Sequence, residues 1–128
     1  MKIRHIYPVI WLGLIVFASL TPADKLPTIQ LFEHADKLIH WAMYFGLSIL
    51  LIPALLKEKN YTKSYSITLI SAIFIGSIME YFQAHLSGNR SAEFADFVAN
   101  CIGVLTGCLF YQLFLRNKKL EKGVFRIG

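Results

Sequence analysis

A chain of 128 residues that is 55% hydrophobic and only 16% charged, with a mean hydropathy of +0.52, carries more apolar surface than one soluble core of this size can hide. The sequence therefore reads as an integral membrane protein. Its net charge of +5 sits in short flanks beside apolar runs and not on one contiguous soluble face, which points to lipid headgroups and away from nucleic acid.

In chain order, Lys2 and Arg4 precede an apolar run from Ile6 to Leu20 that ends at Thr21-Pro22. A basic start before such a run can mimic a signal peptide, with a weak cleavage pattern at Thr21-Pro22-Ala23. Trp11 and the run length favour an uncleaved first span over about residues 6–22, short enough to need its flanks to cross. Ala23 to Ala35 mixes Pro27 and charges with Leu26, Ile29, Leu31 and Phe32, as expected of a connector lying on the interface. A second span covers about 36–56, with Pro53 placed to kink its far end. Lys57 to Ser64 reads as a short basic turn before a third span at about 65–86, which carries Glu80, Gln83 and His85 in its last two turns. Ser87 to Arg90 is a tight turn in which Gly88 and Asn89 tolerate positive φ. The fourth span runs over about 92–115, and residues 116–128 form a basic tail expected to be mobile or to lie on the membrane. Cys101 and Cys108, about 10 Å apart on one helix, are out of disulfide range and read as packing residues.

Lys and Arg counts orient these spans. Ten of them (Lys2, Arg4, Lys57, Lys59, Lys63, Arg116, Lys118, Lys119, Lys122 and Arg126) fall on one side, against Lys25, Lys37 and Arg90 on the other. The fold class expected is an all-α integral membrane bundle of four transmembrane helices, a single domain over 1–128, with both termini cytoplasmic.

The polar residues then gather at the outer ends of the second, third and fourth spans. Asp36, His40 and Tyr44 recur every four residues, with Lys37 beside them; Gly76, Glu80 and Gln83 share a face of the third span. Glu93, Asp96, Asn100, Gly103 and Gly107 make one stripe of the fourth. Ionisable groups inside a span face protein, a water-filled cavity or a partner, so the stripe is a candidate functional site. The plainer alternative is a polar packing seam closed by Gly103 and Gly107.

The ordered set Asp36-Lys37-x-x-His40-x-x-x-Tyr44, Glu80-x-x-Gln83, then Arg90 with Asp96-x-x-x-Asn100-x-x-Gly103 resembles the VanZ-like family of small bacterial membrane proteins. The resemblance spans about 70 residues on three spans. Its name comes from a member associated with resistance to teicoplanin-type glycopeptide antibiotics. It implies a role at the outer face of the bacterial cytoplasmic membrane and a polar site of Asp36, Lys37, His40, Tyr44, Glu80, Gln83, Arg90, Asp96 and Asn100, but no settled reaction.

Each residue has a structural alternative. Lys37 and Arg90 suit a phosphate or carboxylate headgroup, or neutralise Asp36 and Glu80. His40, Glu80 and Asp96 are the candidates for acid–base catalysis, or are held in salt bridges and interhelical hydrogen bonds. Asn100 reads as a bridge between helices, and Tyr44 as a packing residue. His40, Glu80 and Asp96, assisted by His34 or His85, could in principle hold a metal. The spacing lacks a compact ligand motif, so no metal and no cofactor is expected. The leading expectation is an outward pocket for an anionic polyprenyl-phosphate-type lipid or a lipoglycopeptide. An enzyme acting on a lipid phosphate, or a non-catalytic interaction subunit, are the alternatives. Membrane lipids are the expected surroundings, and oligomeric state stays open.

Overall fold

The computed structural model describes residues 2–22, 25, 34–86 and 92–125. Most of the first connector, the turn at 87–91 with Arg90, and residues 126–128 lie outside them. The described residues form α1 (Ile3–Leu20), α2 (Ala35–Leu55), α3 (Tyr61–Leu86), α4 (Phe94–Phe110) and α5 (Lys119–Val124), with no strand among them. α4 runs on as a π-helical turn over Tyr111–Leu115, closed by the Arg116 N–H donating to the Tyr111 carbonyl at 2.8 Å. Among the described residues, four helices (α1, α2, α3 and Phe94–Leu115) are long and apolar enough to cross a membrane. The chain is a multi-pass, all-helical membrane protein.

Two of the expected boundaries move. α1 begins at Ile3, taking Arg4 and His5 into its first turn. α3 begins at Tyr61, not near residue 65, because Asn60 acts as its cap: its Oδ1 accepts the Lys63 N–H at 3.0 Å, satisfying a donor that the first turn leaves open. The reversal between α2 and α3 uses left-handed backbone at Glu58 and Lys59.

α2 lies at the centre and packs against α1, α3 and α4, most extensively against α4. Glycines set that approach. Gly103 sits directly under the Trp41 carbonyl, and a Cβ on Gly107 would lie 2.7 Å from the Phe45 carbonyl, so the Gly103-x-x-x-Gly107 seam brings the two backbones into contact. Trp41 Nε1 donates to Thr106 Oγ1 at 3.0 Å beside that seam. α1 is held by Trp11, whose Nε1 donates to the Met43 carbonyl at 2.8 Å while its indole fills the space beside Gly46.

Two apolar cores result. Ile15, Tyr44, Leu47, Ala72 and Val104 fill the middle of the bundle; Ile52, Leu56, Tyr61, Tyr111 and Phe125 fill one end. Phe17, Ile70, Phe74 and Leu109 point outward and are exposed, as a lipid-facing surface requires. The tail corrects the sequence reading. Instead of trailing free, α5 folds back, and its Glu121 and the following Phe125 are buried against the bundle end.

Candidate functional site

At the end of the bundle opposite α5, helices α2, α3 and α4 each contribute buried polar side chains. His40 comes from α2, Glu80 and Gln83 from the last turns of α3, and Asp96 and Asn100 from the first turns of α4, all buried. They share a centre because the three-to-four-residue spacing on each helix keeps them on the inward face.

His40 stands between two carboxylates. Its Nδ1 lies 3.5 Å from Glu80 Oε1, and its Nε2 lies 3.7 Å from Asp96 Oδ2. Asn100 ties the group together, with Oδ1 3.1 Å from His40 Nδ1 and Nδ2 donating to Glu80 Oε1 at 3.4 Å. Gly76 borders the group: a Cβ there would make ordinary van der Waals contact with the Tyr44 ring at 3.4 Å and Asn100 Nδ2 at 3.5 Å. The Tyr44 hydroxyl is buried without a hydrogen-bond partner among the described residues and lies within electrostatic reach of Glu80.

Lys37 forms the outer layer. Its ammonium is 2.8 Å from Asp36 Oδ2 and 2.5 Å from Asp96 Oδ1, and also pairs with Glu93. The Asp96 contact is ionic more than a well-aligned hydrogen bond. Asp96 thus faces Lys37 with one oxygen and His40 with the other. Of the nine residues the sequence nominates, eight are described, and six of them (Asp36, Lys37, His40, Glu80, Asp96 and Asn100) join this constellation directly; Tyr44 flanks it from below, and Arg90 lies outside the described residues. Gln83 is buried on the same face of α3 as Glu80. His85 takes no part, being exposed, stacked on Tyr81 and paired through Nδ1 with the Tyr81 carbonyl at 2.7 Å. His34 is exposed in the turn before α2.

The VanZ/LLP1 family profile matches residues 5–115, a range that holds the Lys-acid rim and the His-acid-amide centre on their three helices. The chain belongs to the VanZ/LLP1 family. Comparison with curated proteins gives no match, and comparison with solved structures gives none. The VanZ/LLP1 match takes in all four membrane-crossing helices and the whole polar centre, and it stops before α5.

A second polar cluster, centred on Glu121 beyond the VanZ/LLP1 match, was missed by sequence reasoning. Glu121 is buried at the other end of the bundle, where its carboxylate accepts the Tyr61 hydroxyl at 3.0 Å, the Tyr111 hydroxyl at 2.5 Å and the Asn117 N–H at 2.7 Å. The Arg116 guanidinium lies 4.3 Å from the Tyr61 ring centre. The one available signal was a lone acid in a basic tail, and no spacing links it to Tyr61, some sixty residues earlier.

Proposed function

We propose that this VanZ/LLP1 protein sits in the bacterial cytoplasmic membrane with its polar centre toward the outer face, where it binds the headgroup of an anionic lipid-linked or glycopeptide-type amphiphile and contributes to glycopeptide resistance. The observation that supports it is the convergence of buried His40, Glu80, Asp96 and Asn100 at one end of a bundle whose outer surface is apolar. Ionisable groups at membrane depth are costly unless paired, and where they gather they are by default a functional-site hypothesis. The charge balance narrows how an anion is held. Lys37 is already shared by Asp36, Glu93 and Asp96, so capture of a phosphate falls to Arg90 or to a cation brought into the centre.

A second reading, an enzyme acting on a lipid phosphate, is favoured by one specific feature: an imidazole with a carboxylate facing each ring nitrogen is suited to passing a proton. The test of the first reading pairs melting temperature in detergent with binding of a polyprenyl phosphate at two salt concentrations. Arg90→Gln is expected to leave melting nearly unchanged and to weaken binding, because an exposed cation, as the sequence expects of Arg90, acts mainly on capture and is screened over about 8–10 Å. A drop in melting temperature with affinity preserved would overturn the pocket and leave the centre as an interhelical packing device.

A further inference from the structure

We propose that His40, Glu80 and Asp96 form a site for a divalent first-row metal ion, of the class of zinc or manganese that a mixed imidazole and carboxylate donor set suits. One ligand atom from each residue lies within 4.8 Å of the others, and all three residues are buried. They come from three different helices, so the folded bundle assembles a set that no short stretch of sequence contains.

The His40–Asp96 distance fits co-ligands better than direct partners, and Glu80, which faces Nδ1 at 3.5 Å, has to swing toward Nε2 to complete the set. His40 Nε2 and Asp96 Oδ2 are 3.7 Å apart, too far for a hydrogen bond. Two ligands of a tetrahedral ion with bonds of about 2.0–2.1 Å stand roughly 3.3–3.5 Å apart, so a small contraction brings both onto one ion. With its Nδ1 proton given to Asn100 Oδ1, His40 keeps the Nε2 lone pair that faces Asp96, and the same amide donates to Glu80. That is the outer-shell arrangement that orients a metal-binding imidazole. Three protein ligands leave a position for water, and a metal-bound water gives the buried Tyr44 hydroxyl a partner.

A neighbouring group shows why the inner position is the one assigned. Asp36, Glu93 and Asp96 also lie within ligand range of one another, but the Lys37 ammonium stands among them and takes the place of a cation. The metal site stands apart from the headgroup reading, since it binds without lipid; once filled, it supplies the positive charge that Lys37 has already committed.

The experiment uses the full chain in detergent, freed of any affinity tag and stripped with a chelator, then titrated with cobalt(II) and zinc(II). One equivalent is expected, with cobalt absorption bands in the visible that saturate and are displaced by zinc. His40→Gln and Asp96→Asn are expected to weaken binding at least about tenfold, and Asn100→Ala by about 10–100-fold through loss of orientation. His85→Gln is expected to bind as the wild type does. Melting of each metal-free variant reports whether it folds; if the ligand variants do not, wild-type stoichiometry and Asn100→Ala decide. Absence of stoichiometric binding by the wild type, binding that survives in folded His40→Gln, or loss of binding in His85→Gln would overturn the site. Stoichiometric metal binding by a protein that ignores polyprenyl phosphate supports the metal site and overturns the headgroup reading alone.

Discussion

Lys37 and Asp96 meet across the α2–α4 interface, the ammonium 2.5 Å from Oδ1, with the lysine side chain 21% exposed and the aspartate buried. Lys37→Met removes the one described cation shared by three carboxylates. Breaking a fully buried pair costs about 3–5 kcal/mol, and the partial exposure of Lys37 lowers the expected loss to about 1–3 kcal/mol. It is read as a lower melting temperature in detergent. Lys37→Met combined with Asp96→Leu should recover part of that loss; purely additive losses would show the two residues to be uncoupled.

Gly103 and Gly13 make an internal comparison. A methyl at Gly103 meets the Trp41 carbonyl and the Phe45 amide of α2, whereas nothing lies within 4 Å of a Cβ at Gly13. Gly103→Ala should therefore cost about 1–3 kcal/mol by forcing α2 and α4 apart, and Gly13→Ala should be neutral or slightly stabilising. Equal melting temperatures for the two variants would contradict the close approach.

Glu121 predicts a role for α5 that is separate from the polar centre. Glu121→Ala strips the partner from two buried tyrosine hydroxyls, with an expected loss of about 1–3 kcal/mol and faster proteolysis after Leu115. Polyprenyl-phosphate and metal binding, which belong to the opposite end, should persist. Unchanged protease sensitivity would mean that α5 is not docked in the membrane-embedded protein.

Topology is tested by reporters. With both termini cytoplasmic, a reporter at the C-terminus should be active only in a cytoplasm-reading format, and one inserted at Gly88 should read as exterior. An exterior C-terminus would place the polar centre on the cytoplasmic side and remove the outer-face reading.

The sequence by itself determined the four crossings, because a helix in lipid has to satisfy its own backbone and so announces itself as a long apolar run. Helical spacing also put Glu93, Asp96, Asn100, Gly103 and Gly107 on one stripe turned toward protein; the last four are buried, while Glu93 is exposed and reaches Lys37 from outside. What that stripe meets was open until the helices were placed. Its upper half enters the His40 and Glu80 centre, while its glycine half packs against the α2 backbone. Only the tertiary structure decided that His40 lies between Glu80 and Asp96, that Lys37 is spent on three carboxylates, and that Glu121 is buried against Tyr61 and Tyr111. The reason is physical: spacing within a helix sets which face a residue occupies, whereas the rotation and depth of one helix against another are set by close contacts such as Gly103 under Trp41 and Trp11 on Gly46, which no single stretch of sequence contains.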